Sequence, residues 1–278
     1  MTLFELLAAD PRAGLTVAEI GRRLGVDKAT CYPMLTALHD AGYLVRHPAR
    51  RTYHLGPALV PIGRAAAVGL PAPDLVHAAI TDLARSLRLT CAAVAPADDH
   101  VVVVDEAWAS HQPTPALVIG QRLPLRPPWG AVFVAWADDT RVDRWLAQAP
   151  GESVDAARWR EVLAGVRNLG GVVEVNELPP DDVRARVASL PADASRAELH
   201  AFVERLVDHL SRQAEPVLTM VAPAQRYHVT SINVPVRDVH GDVVLAIAAM
   251  GFRDALAGEE VSAVLAQLAA ATARLRVA

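Results

Sequence analysis

The sequence predicts an α+β chain in two parts: a small helical head closed by a β-hairpin, and a larger body on a central antiparallel sheet flanked by helices. Three observations carry this. Two helical segments separated by a short glycine-containing turn are followed at once by two strand-like runs. Further on, strand patterns alternate with helical ones, and the last two strands join through a tight turn. The charge divides along the same line. Residues 1–64 hold eight basic and five acidic groups, a net +3, against −7 for the rest of a chain whose total is −4. A positive head on an acidic body suits a polyanionic partner for the head alone.

The first segment, Thr2–Ala9, reads as a short helix with Leu3, Leu6 and Leu7 on one side. Asp10–Gly14 is turn chemistry. Thr16-Val17-Ala18-Glu19 matches a capping box, so a helix should run from Val17 to Leu24 and stop at Gly25. Asp27 should cap a second helix over Lys28–Ala41. In it Cys31, Leu35 and Leu38 face inward, helped by Met34, and Gly42 ends it. The start of this helix presents Lys28, Ala29, Thr30 and Tyr32 outward, residue types suited to phosphate and base-edge contacts in a major groove. Tyr43–Arg46 and Arg51–Leu55 form a hairpin, a wing, with Arg50 and Arg51 at its tip within reach of phosphates or a minor groove.

The run Leu15-Thr16-Val17-Ala18-Glu19-Ile20, Leu24 to Thr30, Gly42-Tyr43-Leu44 and Tyr53-His54-Leu55-Gly56 resembles the IclR family of bacterial regulators. In that family a strand ending in Tyr-x-Leu-Gly closes the wing of a winged helix-turn-helix. The resemblance implies a double-stranded DNA operator as partner and DNA-contacting roles for Thr16, Lys28, Ala29, Thr30, Tyr32, Arg50 and Arg51. Pro33 departs from the family, which usually has a basic or polar residue there. At the sixth helical position a proline should cost about 3 kcal/mol, so either the helix starts later or it bends. A winged helix used only for protein contacts remains the alternative.

The head should span residues 1–57, with a linker helix over 58–72, interrupted by Pro61, and the body over 73–278. Asp74–Leu89 reads as a helix with Leu75, Ala79, Leu83 and Leu87 in register. Candidate strands are Thr90–Ala95, Val101–Ala107, Ala116–Gly120, Val172–Asn176, His228–Val236 and Val243–Met250. Asp238–Asp242 is the turn between the last two, and Glu259–Arg276 is a closing helix. Around 178–226 the chain carries an insertion relative to the family. There Ser195-Arg196-Ala197-Glu198 is a second capping box, and Leu199, Phe202, Val203, Leu206, Val207 and Leu210 form a helical stripe. It reads as an added helical layer, with a lid or dimer surface as the alternative.

The resemblance resumes at Gly120–Arg126 and Gly130–Ala135, similar to the family's strand-loop-helix at its effector pocket, and implies a GAF-like effector-binding domain. Gly130 and Ala131 take the family's role of helix-start amides that hold an anionic group. Ser231–Asp238 looks like the family's late strand. There Ser231 stands where cysteine is common, and Ala248 and Met250 where polar residues often line the pocket. Trp129 sits at its mouth. An effector site of Leu117, Ile119, Trp129, Gly130, Ala131, Ser231, Asn233 and Met250 is thus more apolar than that of small-keto-acid sensors and suits an aromatic or bulky organic acid. Ser231 and Asn233 as ordinary solvent-facing strand residues are the alternative.

Two isolated cysteines, Cys31 and Cys91, argue against a disulfide framework or a zinc site. The longest apolar runs, Pro127–Ala137 and Val243–Phe252, are too short to span a bilayer. The first segment contains Glu5 and Asp10, unlike a secretory signal. A cytoplasmic protein with no membrane partner is expected. No phosphate-cradling glycine loop, GxSxG elbow or HExxH occurs, so no catalytic residues, metal or cofactor are expected. A hydrolase with a fused winged helix, or a protein-interaction module, are the competing readings. Symmetry-paired half-sites predict a homodimer or a dimer of dimers.

Overall fold

A computed structural model describes residues 3–8, 11–68, 72–109, 119–149, 155–176 and 216–275. The described residues fall into two compact units, one before residue 70 and one after residue 71.

The first unit opens with α1 (Leu3–Ala8), α2 (Val17–Leu24) and α3 (Lys28–Asp40). The capping box is present. The Thr16 hydroxyl accepts from the Glu19 amide at 3.3 Å, while Glu19 Oε2 accepts from the Thr16 amide at 2.8 Å and from its hydroxyl at 2.7 Å. These bonds, the backbone one foremost, hold the Glu19 carboxyl below its usual range. Gly25 closes α2 at φ 68°. Asp27 caps α3 by accepting from the Thr30 amide at 2.8 Å. At the far end the Gly42 amide donates to His39 and the Tyr43 amide to Leu38, both at 2.9 Å. That is a Schellman closure, with Gly42 in the left-handed region at φ 76°.

Pro33 lies inside α3, and the helix begins at Lys28 all the same. The late start allowed by the sequence does not occur. Capping by Asp27 and burial of Cys31 and Leu35, both fully enclosed, fix the first turn despite the amide lost at Pro33.

The hairpin pairs β1 (Leu44–Arg46) with β2 (Tyr53–Leu55) antiparallel. Leu15 adds a third, one-residue edge: its amide donates to the Tyr53 carbonyl at 3.1 Å and its carbonyl accepts from the Tyr53 amide at 2.7 Å. Gly56 follows because a Cβ there would lie 2.1 Å from the Gly42 carbonyl oxygen. This gives the Tyr-x-Leu-Gly ending a steric cause. Leu3, Leu6, Leu7, Ile20, Leu35 and Leu44 fill the core of the unit. α4 (Leu59–Val68) belongs to the same unit, and its residues 60–66 are exposed.

The second unit begins with α5 (Pro73–Leu87). Its inward face is Val76, Ile80, Leu83 and Ala84. Leu75 is 60% exposed, so the expected register, which put Leu75 inside, is shifted by one residue. A six-stranded antiparallel sheet follows, in the order β5-β4-β3-β9-β8-β6. Its strands are β3 (Thr90–Ala97), β4 (His100–Ala107), β5 (Arg122–Pro124), β6 (Val172–Val175), β8 (Val229–Arg237) and β9 (Val243–Met250). A two-residue ladder pairs β7 (Arg226–Tyr227) with β10 (Leu256–Ala257). Ile119 and Gly120 form a turn, not the end of the expected strand Ala116–Gly120, whose other residues lie outside the described set. The Asp238–Asp242 turn closes β8 onto β9. The Asp238 amide donates to the Asp242 carbonyl, and Asp238 Oδ1 accepts from the amides of His240 and Asp242.

Strand alternation sorts the sheet into two faces. One packs Ala92, Val103, Val172, Ala246, Ala248 and Met250 with α6 (Ala131–Val134), α7 (Asp139–Leu146) and α8 (Ala156–Leu169). The other packs Cys91, Ala93, Ile232, Val234 and Ile247 with α5 and α9 (Gly258–Thr272). Burial pushes the Cys91 thiol up to about 12, so it is an inert core residue. Most of the insertion, including its capping box and stripe, lies outside the described residues. Its last part is not helical: residues 216–218 lie along the free edge of β6, where the Val175 amide donates to Pro216 and the Leu218 amide to Val173, both at 3.0 Å.

Candidate functional site

Two places gather the candidate residues. The first is the exposed side of α3 with the wing tip. Lys28, Ala29, Thr30, Tyr32, Arg50 and Arg51 are all exposed, Tyr32 at 49%. Their chemistry is narrower than the sequence suggests. The Thr30 hydroxyl donates to Asp27 Oδ2 at 3.3 Å, and Thr16 is half-buried with its hydroxyl engaged in the capping box. Both act first as helix-start groups. The wing tip is held by His47, whose Nδ1 accepts from the Arg50 amide at 3.1 Å and whose carbonyl accepts from the Arg51 amide at 2.9 Å. Arg51 is thereby fixed at φ 53°. The guanidinium of Arg46 lies 5.9 Å from the centre of the Tyr53 ring, a contact between the paired strands below the tip.

The second place is the sheet face covered by α6, α7 and α8. Cross-strand pairing sets two rows on it. One runs Val172, Asn233, Ala248, Ala92, Glu106; the next runs Glu174, Ser231, Met250, Thr90. Ser231, Asn233 and Met250 therefore share a face, as an effector site requires. Ser231 and Met250 are 7% and 6% exposed, so neither is a solvent-facing strand residue. Asn233 Nδ2 donates to Ser231 Oγ at 2.7 Å, and Ser231 Oγ donates to Glu174 Oε2 at 2.5 Å. Burial pushes the Glu174 carboxyl up to about 7, with the Ser231 bond pulling the other way. One pair further along, the Asn176 amide donates to the His228 carbonyl at 2.9 Å. Alternation from Val229 then puts His228 on the same face. Its Nδ1 is buried and has no hydrogen-bond partner among the described residues.

The remaining expected effector residues spread out. Leu117 lies outside the described residues. Ile119 is 44% exposed in a turn. Trp129 is half-buried, and its carbonyl accepts from Trp145 Nε1 at 2.8 Å. Gly130 sits at φ 76° where a Cβ would meet Leu125 Cδ1 at 2.2 Å. Ala131 is 1% exposed, a core residue of a helix only four residues long. Its side chain packs; only its backbone is left to meet a ligand. The sequence reading did not place Glu174 against Ser231 or single out His228. The signal was present, since Glu174 is a charge in an otherwise apolar strand, but its partner lies 57 residues away.

Among the described residues no cluster of three or more His, Cys, Asp or Glu could hold a metal ion, and no helix is long and apolar enough to cross a membrane.

Residues 1–48 match the IclR helix-turn-helix domain. A curated relative, the HTH-type transcriptional regulator Rv1719 of Mycobacterium tuberculosis, is 31% identical over 123 residues. That match takes in 44% of this chain and 46% of the relative, about half of each. Solved structures share the fold over nearly the whole chain. An IclR transcriptional regulator from Alicyclobacillus acidocaldarius superposes with a TM-score of 0.65 at 23% identity, covering 94% of this chain and 88% of its own. HmgR of Pseudomonas aeruginosa gives 0.62 at 19%, covering 98% and 95%. An IclR homologue from Microbacterium hydrocarbonoxydans, solved with 4-hydroxybenzoate, gives 0.62 at 15%, covering 98% and 94%.

Proposed function

We propose that this chain, whose N-terminal domain is an IclR-type helix-turn-helix carried on the fold of IclR regulators, is a transcriptional regulator. It binds a double-stranded operator through α3 and the wing, and a small organic acid on the covered sheet face. The observation that carries the first half is the set of exposed basic residues, Lys28, Arg50 and Arg51, on a helix start and wing tip that internal hydrogen bonds hold in place. Replacing Lys28 with Ala, or Arg50 and Arg51 together, should weaken binding to a promoter fragment. The log–log salt dependence should flatten by about 1 per lost phosphate contact. Fluorescence anisotropy at several salt concentrations reads both. Wild-type affinity and slope in all variants would move the DNA face elsewhere. The protein acts as a homodimer, since one recognition helix reads too few base pairs.

The second half rests on the polar group Glu174, Ser231 and Asn233 set beside Met250 and Ala248 on a face otherwise made for packing. Such a mixture of apolar wall and few convergent polar groups is what small-molecule sites present. The 4-hydroxybenzoate in one structural neighbour makes aromatic acids the first class to try. In a thermal-shift screen, an acid at a hundred times its Kd should add about 2.7 kcal/mol of stability. Asn233→Leu keeps the branched shape and removes the amide, and should erase that gain. If no acid raises the melting temperature of the wild type, this reading of the site fails.

A further inference from the structure

Apart from Lys28, the outward side of α3 lacks the side chains that read bases by paired hydrogen bonds. Over Lys28–Asp40 there is no Arg, Asn, Gln or Glu, so the bidentate contacts to guanine or adenine that Arg, Asn and Gln make are unavailable from this helix. The hydroxyls of its two threonines are also engaged. Thr30 donates to Asp27, and Thr36 Oγ1 donates back to the Tyr32 carbonyl at 3.0 Å. At the C-terminal end His39 Nδ1 lies 3.0 Å from the Leu44 carbonyl. What remains exposed in the first two turns is Lys28 and a mostly apolar surface of Ala29, Tyr32 and Pro33. Pro33 is exposed beside Tyr32 with a ring that has no polar tip, and it leaves the helix intact. The major-groove feature that the apolar part of this surface recognises is the thymine C5-methyl group, and Lys28 and the Tyr32 hydroxyl are the polar groups left beside it. The wing adds two guanidinium groups at a tip fixed by His47. A narrow A·T minor groove, with its deepened negative potential, attracts arginine at such a position.

We propose that the operator is A·T-rich and is read mainly through thymine methyl groups packed on Ala29, Tyr32 and Pro33, with Arg50 and Arg51 reading minor-groove width. Lys28 holds phosphate and sets register. This rests on the DNA-binding reading above and names what that face selects.

The test uses the full chain and a duplex pool with a randomised core, enriched by successive rounds of binding. The best duplex is then remade with deoxyuridine for thymidine, one position at a time, which removes only the methyl group. A parallel set carries 7-deazaguanine for guanine, which removes the N7 acceptor. The selected sequences should be dominated by A·T pairs. Deoxyuridine at positions facing α3 should weaken binding about fourfold per methyl lost, and 7-deazaguanine should leave it unchanged. In Tyr32→Ala the penalty at one thymine should vanish, because the methyl has lost its contact. A consensus of G·C pairs sensitive to 7-deazaguanine, or indifference to deoxyuridine at every thymine, overturns the proposal while leaving sequence-specific binding intact. If no sequence is enriched over the starting pool, the operator reading itself fails and this inference with it.

Discussion

Leu35→Ala should strongly destabilise the first unit, and weaken DNA binding with it, while the stability of the second is unchanged. Leu35 is fully enclosed on α3 and packs with Ile20, Leu44 and three leucines of α1. Removing a buried leucine side chain costs about 2–5 kcal/mol, the upper end where the surroundings cannot collapse. Here they cannot easily do so: the Asp27 cap, the Schellman closure at Gly42 and the tight contact at Gly56 hold the three walls apart. A domain of this size has total stability of only about 3–10 kcal/mol. Its melting transition should fall by more than about 10 °C. The two cores share no residue, so calorimetry should show the second transition in place. A first transition within about 2 °C of wild type, with DNA affinity retained, would show that the helix-turn-helix does not depend on this core.

The parts of the fold that were legible in the sequence are those fixed by local chemistry. Thr16 and Glu19, Asp27 and Gly25 set their helix ends through partners within four residues, and these ends fall where the pattern puts them. The Asp238 turn is local in the same way. The register of α5 was not legible. Its apolar residues support two stripes, one through Leu75 and one through Val76, and only the sheet beneath it chooses. β5 has only three residues, one of them Pro124, too little for a strand pattern; it exists because β4 offers it an edge.

The two candidate sites differ for the same reason. The exposed residues at the start of α3 were visible because helix phase alone turns Lys28, Ala29 and Tyr32 outward. That Thr30 and Thr16 are occupied by their caps required the side-chain geometry. On the sheet face, Ser231 and Asn233 were visible as polar residues in an apolar strand. Glu174 became their neighbour only through the pairing of β6 with β8, across the whole insertion.

Glu174→Gln should stabilise the second unit at pH 8 and leave it nearly unchanged at pH 4.5. In the unfolded chain this carboxyl titrates at its ordinary value of 4.5, whereas burial in the folded protein raises it to about 7. Between those values the folded state holds a proton that the unfolded state has released. Stability therefore falls as pH rises through this window, and the full cost, about 3 kcal/mol, applies above 7. Below 4.5 both states are protonated and the cost vanishes. Glutamine carries no charge at any pH, and its carbonyl still accepts from the Ser231 hydroxyl. The imidazole of His228 faces the same region in both proteins. All five tryptophans, at 108, 129, 136, 145 and 159, lie in the second unit, so fluorescence in a urea titration reports that unit alone. The stability difference between variant and wild type should grow from near zero at pH 4.5 to about 3 kcal/mol at pH 8, with equal urea slopes. A difference that stays constant with pH would mean that Glu174 is ionised at its ordinary value in the folded protein. Its carboxyl would then be hydrated, and the sheet face beside Ser231 would be a wet surface instead of an enclosed site for a ligand.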